Sequence, residues 1–401
     1  MTNNLIELEE KYGAKNYAPL PVVLSKAEGV YIWDTDDNQY MDMLGAYSAV
    51  SHGHKHPRLV KALVDQAKTL GITSRAFHHD KLAPFLQRAC ELTKQDQALA
   101  MNTGAEAVET ALKAARKWGE KVKGIPKNKA KIIACEGNFH GRTIAIVGMS
   151  TEEQYKDGFG PFPKGFETIP FGNSEALEKK LAKDSSNYAA FLVEPIQGEG
   201  GIIVPPKGYL KECQRICQEH NVLLICDEIQ TGLGRTGKIL ASQYDSVVPD
   251  ALLLGKALGG GLIPVSLFLS KKEVMDVFTP GDHGSTFGGY PIAAAVGLEA
   301  LNVLIDDRLS DRAKVLGDYM QGRLKELNNP AIVDVRGKGL LIGVQLDPNI
   351  VDAHEMCERL LKLGILGKET HHNTMRFAPP LVITQEQIDW AIAQFVKALN
   401  Q

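Results

Sequence analysis

Between residues 98 and 270 the chain repeats one theme, a short apolar run followed by a stretch of helical periodicity. The runs are ALAM at 98, KIIAC at 131, AAFLV at 189, VLLIC at 222, ALLL at 251 and VSLFL at 265. Strands apolar on both faces, separated by helical segments, bury themselves best in a mainly parallel sheet covered by helices. Such open α/β sheets hold their ligands beyond the carboxyl ends of the strands. Between the first two runs, NTGAEAVETALKAARKWG offers Thr103 as N-cap with Glu106 three residues on, then Val108, Ala111, Leu112 and Ala115 on one face. A capped helix is expected to start there.

The two ends of the chain have a different character. Residues 1–46 suit a loop and a small antiparallel hairpin, and beyond about residue 290 long helical patterns frame VRGKGLLIGVQL. The expected organisation is therefore an N-terminal segment, 1–46, and a C-terminal segment, 290–401, forming one smaller α+β domain around a large domain, 47–289. At 401 residues the chain has room for two such domains. A net charge of -3 gives no basic footprint, which argues against nucleic acid or an anionic membrane as main partner. No apolar run reaches the roughly 18 residues of a membrane helix. The six cysteines include no CxxC pair, and MTNNLIELEEKYG has neither a signal-peptide apolar stretch nor an Arg-rich transit pattern, so a cytoplasmic location is expected.

Two ionisable residues stand at the ends of consecutive apolar runs. ALLLGKALGGG delivers Lys256 into a Gly-rich turn, and VLLICDEIQTG places Asp227 likewise. Alone, Lys256 could snorkel to solvent and Asp227 could cap a turn. Together they match what a pyridoxal phosphate enzyme needs: a lysine for a Schiff base and a carboxylate that holds the proton on the cofactor's ring nitrogen. NTGAEA supplies the backbone N–H groups of Gly104 and Ala105 at a helix N-terminus, which favours a phosphate. HGSTFGG (283–289) is a second Gly-rich loop, with hydroxyls at Ser285 and Thr286.

Two patterns point to other classes. GLGRTG (232–237) matches the dinucleotide fingerprint, but DEIQT separates its glycines from the strand end, no clean helix opens after Gly237, and Asp250 precedes the next strand. HGHKHP carries His52, His54 and His56 with no carboxylate or cysteine spacing to complete a metal site, so a solvated turn is expected and no metal.

With Lys256, Asp227, NTGAEA, EPIQGEGG (194–201), HGSTFGG and RFAPPL (376–381), the sequence resembles the class III, fold type I pyridoxal phosphate aminotransferases over almost its whole length. Within that family, YGAKNYAPLPV, AYSAV, TSRAF, DEIQTG and MRFAPPLVI resemble the ornithine-specific branch; acetylornithine enzymes share the general motifs but lack the NYxPLPV entry and the YSAV tyrosine. The resemblance implies a mainly parallel seven-stranded sheet in the large domain, and a homodimer with its active sites at the subunit interface. It implies Lys256 as the Schiff-base lysine, Asp227 as the pyridinium partner, Gln230 at the ring hydroxyl and Phe139 stacked on the ring. Gly104 and Ala105 would bind the phosphate, with Ser285 on the second Gly-rich loop and Thr286 contributed by the neighbouring subunit. Tyr17, Tyr47 and Arg142 would form the ornithine pocket. Arg376 would bind the α-carboxylate of glutamate, and Glu199 would shield Arg376 while ornithine is bound. The implied reaction moves the δ-amino group of L-ornithine to 2-oxoglutarate, giving L-glutamate; acetylornithine or 4-aminobutyrate are the alternative substrates. One departure is His140, where animal ornithine enzymes carry tryptophan.

Overall fold

The computed structural model describes residues 2–401. The apolar runs form one seven-stranded sheet of β4 (Gln97–Met101), β5 (Lys131–Cys135), β6 (Phe166–Ile169), β7 (Tyr188–Val193), β8 (Leu223–Asp227), β9 (Ala251–Leu254) and β10 (Ser266–Ser270). Their order across the sheet is β4-β10-β9-β8-β7-β5-β6. Every neighbouring pair is parallel except those of β10, which runs antiparallel to both β9 and β4. The middle strand, β8, and its neighbours β7 and β9 are buried at every position, as strands covered by helices on both faces of a sheet must be. Six of these strands sit on the six apolar runs. The seventh, β6, is an edge strand whose FETI sequence has too little apolar character to announce itself.

Helix Gly104–Trp118 begins as its sequence dictates. Thr103 accepts from the backbone N–H of Glu106, whose carboxylate takes the N–H of Thr103 in return. The helix buries Val108, Ala111, Leu112 and Ala115 against the sheet, which fixes its N-terminus beside the carboxyl ends of the strands.

The chain ends meet in a second region. β1 (Leu24–Glu28), β2 (Tyr31–Asp34) and β3 (Gln39–Asp42) form an antiparallel meander, and β13 (Ile365–Leu366) from the other end of the chain adds to β3 in parallel. A further antiparallel sheet comprises β11 (Ile332–Lys338), β12 (Leu341–Leu346), β14 (Lys368–Thr370) and β15 (Thr374–Phe377), in the order β11-β12-β15-β14. Residues before the meander differ from the expected loop. Thr2–Tyr12 is a helix, with Leu5 and Leu8 40% and 44% exposed. Its apolar residues do not enter the core, so no buried stripe marked it in the sequence.

The histidine-rich turn differs too. His52 is buried and bonds the carbonyl of Ala300 at 2.9 Å, His54 bonds Asp42 at 2.8 Å, and His56 faces Asp307 at 3.4 Å. These rings tie the turn to its surroundings instead of lying in solvent, and among the described residues no group of side chains is arranged to hold a metal ion. The GLGRTG segment is a buried turn in which Arg235, fully buried, donates to the carbonyls of Leu340 and Pro379 and to Ser51. Its glycines serve packing: a Cβ at Gly237 would stand 2.9 Å from Lys314.

Candidate active site

β8 and β9 lie side by side and parallel, so Asp227 at the end of one and Lys256 just past the end of the other open onto the same space. That space is a cavity of about 210 Å³ lined by Gly104, Ala105, Phe139, His140, Glu194, Asp227, Gln230 and Lys256, among others. The sequence brings these together because each follows the carboxyl end of a strand in one sheet.

Lys256 adopts φ 45°, in the left-handed region that an L side chain enters at a cost of about 1–2 kcal/mol. Among the described residues its amine has no hydrogen bond or ion pair, and burial pushes its pKa below the usual lysine range against the pull of Glu199 and Asp227. A neutral amine is thereby closer to hand than on a surface lysine.

Asp227 accepts from His140 Nδ1 at 2.7 Å through one oxygen and from the N–H of Ile229 at 3.1 Å through the other. Burial alone would lower the pKa of His140, but the bond to Asp227 and the charges of Asp227 and Glu194 raise it instead. Glu194 accepts from the N–H groups of Phe139 at 2.9 Å and Gly198 at 3.2 Å, and its burial pushes its carboxyl up to about 7. His140 and Glu194 had no assigned role in the sequence; only the fold brings them to Asp227.

Pyridoxal phosphate, expected from the sequence, can be tested against these groups. Gln230 Nε2 and His140 Nε2 are buried with no partner, and both residues line the cavity. An unpaired buried donor is costly, and a ring with a phenolic oxygen offers Gln230 the acceptor it lacks. Gln230 packs so closely on the 194–201 loop that a Cβ at Gly198 would fall 1.5 Å from its amide oxygen. At the other end, Gly104 and Ala105 open a 15-residue helix whose first N–H groups suit a phosphate. The residues fit the group.

Arg376, on β15, is 1% exposed at its side chain and donates from Nη1 to Glu199 Oε1 at 2.5 Å. Burial would raise the pKa of Glu199, but the charge and bond of Arg376 outweigh it and hold the carboxyl below its ordinary value. Tyr47 lies against the guanidinium, 4.7 Å from ring centroid to Cζ. It belongs to a turn in which Gly45, Ala46, Tyr47 and Ser48 all have positive φ, braced by Asp42 Oδ1, which accepts from the N–H groups of Leu44 and Gly45. Gly45 is required, since a Cβ would meet the carbonyl of Ala378 at 2.5 Å. The three residues after it carry no such signal in the sequence.

Other expected site residues lie farther out. Arg142 is exposed and stacks on Tyr155 at 3.7 Å and near Phe139 at 5.5 Å. Tyr17 is 79% exposed, near enough to Tyr47 to act on it electrostatically. Ser285 accepts from Asn102 Nδ2 at 2.8 Å, and Thr286 is exposed; neither lines the cavity within one chain.

The family model described as aminotransferase class-III matches residues 12–399. A Brevibacillus brevis protein named ornithine aminotransferase is 53% identical over 399 residues, spanning 100% of this chain and 98% of its own. The ornithine aminotransferase of Toxoplasma gondii, in a structure described as having partial occupancy of PLP at its active site, superposes with a TM-score of 0.97. It is 47% identical and covers 100% of this chain and 94% of that one. An acetylornithine aminotransferase from Elizabethkingia anophelis is also 47% identical, with a TM-score of 0.91 and coverage of 100% and 99%.

Proposed function

This chain belongs to the class-III aminotransferases, and from that premise we propose that it transfers the δ-amino group of L-ornithine to 2-oxoglutarate, forming L-glutamate and glutamate 5-semialdehyde, which cyclises to pyrroline-5-carboxylate. Class-III aminotransferases use pyridoxal phosphate, which when bound supplies an electron sink that stabilises negative charge on the substrate carbon losing its proton. Lys256 would attach the cofactor through its amine, and the same amine is placed to take a proton from the δ-carbon of ornithine and return it as acid. Asp227, steadied by His140, would be the counter-charge for the ring nitrogen, with Gln230 at the ring hydroxyl and Phe139 over the ring. Gly104 and Ala105 would hold the phosphate.

The observation that carries the substrate reading is the closed pair of Glu199 and Arg376 within electrostatic reach of Lys256. Ornithine presents a δ-amine and glutamate an α-amine, so an arginine that grips an α-carboxylate beside the cofactor must be covered in one half reaction and bare in the other. The two partners are unequally free to move. Glu199 is 21% exposed and can rotate outward, whereas Arg376 is 1% exposed and its Nε is buried without a partner. An incoming carboxylate would repay the broken pair and satisfy that donor in a bidentate contact. Glu199→Ala is expected to improve the glutamate half reaction and to let α-transamination of ornithine compete with δ-transamination, measured by single-turnover rates and product analysis. Equal slowing of both half reactions with purely δ product would make Glu199 a loop anchor only.

Arg142 and Tyr17 take the α-carboxylate end of ornithine in this reading, with Tyr47 beside them. Tyr47→Ile is expected to lower kcat/KM for ornithine about tenfold more than for 4-aminobutyrate, which has no α-amino group; loss of one hydroxyl hydrogen bond to a charged group is of that order. Comparable losses for both substrates would indicate damaged packing alone.

The working unit is a homodimer in the cytoplasm. Exposed Thr286 and the adjacent Phe287, 49% exposed, support the second copy completing the phosphate end, and the six free cysteines support a reducing compartment. Among the described residues no helix is long and apolar enough to cross a membrane.

A further inference from the structure

The loop that carries Glu199 is tied down at nearly every peptide. Gln197 and Ile203 pair backbone to backbone, and Gln197 Nε2 donates to the carbonyl of Glu136 at 2.7 Å. Arg336, on β11, donates from Nε to the carbonyls of Gly201 and Ile202 at 3.0 and 3.2 Å. The carbonyl of Glu199 itself accepts from Thr370 Oγ1 at 2.5 Å and from His371 Nδ1 at 2.7 Å.

His371 occupies the tip of the β14–β15 hairpin, between the paired residues Thr370 and Thr374. The tip turns through His372 and Asn373, both at positive φ, and the Asn373 side chain locks its base by accepting from the N–H of Ala353 and donating to the carbonyls of Leu346 and Val351. The same hairpin continues into Arg376. The arginine and the anchor of its carboxylate partner are thus carried on one rigid element.

The other ring nitrogen of His371 faces Glu152 Oε2 at 3.1 Å. A carbonyl can only accept, so Nδ1 is the donor in the contact with Glu199. Glu152 precedes the turn Glu153–Tyr155, and Tyr155 is the ring on which Arg142 stacks. Glu152, Tyr155, Glu199, His371 and Phe139 line one cavity of about 370 Å³, which shares Phe139 as a wall with the cofactor cavity.

We propose that His371 is a positioning residue for amine selection: it pins the Glu199 backbone so that the cover over Arg376 opens by side-chain rotation alone, and it links that cover through Glu152 to the element that seats Arg142. The inference rests on the reading of Glu199 as a cover. A pinned backbone keeps the closed pair in register for ornithine. A loosened one leaves Arg376 partly bare.

The test is the ratio of α- to δ-product formed from ornithine in single turnovers of the holoenzyme, in which any general loss of rate cancels. His371→Ala is expected to raise the α fraction about fivefold, the weight of one ordinary hydrogen bond, and to lower KM for glutamate with little change in kcat. His371→Asn, whose amide nitrogen can occupy the place of Nδ1, keeps the bond to Glu199 and stays within about twofold of the parent ratio. An unchanged ratio in His371→Ala, while Glu199→Ala alters it, overturns the role of His371 and leaves the cover intact. An unchanged ratio in Glu199→Ala removes the cover itself, and this inference with it. Equal shifts in His371→Ala and His371→Asn would also contradict the proposal, since the Glu199 bond would then not be what matters.

Discussion

Lys256→Ala is expected to abolish turnover, by about four orders of magnitude or more, while leaving a folded chain that still takes up pyridoxal phosphate. The proposed function gives one amine two roles, cofactor attachment and proton transfer, and positioned proton transfer alone is worth about 10²- to 10⁴-fold. No neighbour can substitute. Among the described residues lining the cavity Lys256 is the sole lysine, and its left-handed backbone aims one particular side chain there. Lys256→Arg should not rescue, because a guanidinium stays protonated and cannot serve as base or nucleophile. The measurement is steady-state transamination of pure protein with far-UV circular dichroism and cofactor absorbance as controls. Retained turnover would refute the assignment.

Asp227→Ala carries the second-largest expected effect. The carboxylate accepts from His140 at 2.7 Å, and with both groups buried its loss strands a polarised imidazole beside Glu194 as well as the proton on the cofactor's ring nitrogen. Removing one partner of a buried charged pair costs about 3–5 kcal/mol, which if expressed in the rate corresponds to about 10²- to 5 × 10³-fold, together with looser cofactor retention. Asp227→Asn separates shape from charge: it should keep the N–H of Ile229 and much of the cofactor affinity yet lose most of the rate. If Asp227→Ala turned over normally, the carboxylate would be a turn cap for Ile229 and nothing more.

What could be foreseen from the sequence was whatever is written locally. The apolar runs gave six of the seven strands of the large sheet, Thr103 and Glu106 gave a helix start with its reciprocal cap, and strand ends gave the convergence of Asp227 and Lys256. What escaped it was long-range or strained. His140 reaches Asp227 only because β5 and β8 lie in one sheet, and nothing in NFHGRT specifies that contact. The left-handed run through Ala46, Tyr47 and Ser48 contradicts local propensity and persists because Asp42 and the close approach of Ala378 impose it. The histidines of HGHKHP looked like a polar turn because their partners, Ala300, Asp42 and Asp307, lie in other elements. The clamp on Glu199 joins residues separated by some 170 positions, and no periodicity encodes such a pairing.

The similarity to an acetylornithine aminotransferase at the same identity as to an ornithine enzyme makes amine preference the decisive quantity. Purified holoenzyme assayed side by side with L-ornithine, N-acetylornithine and 4-aminobutyrate, each with saturating 2-oxoglutarate, measures it directly. With the Glu199–Arg376 pair acting as the proposed cover and Tyr17, Tyr47 and Arg142 as the proposed pocket, L-ornithine is expected to have the highest kcat/KM and to give pyrroline-5-carboxylate. A higher kcat/KM for N-acetylornithine or 4-aminobutyrate, or an α-keto acid as the main product from ornithine, would contradict the account.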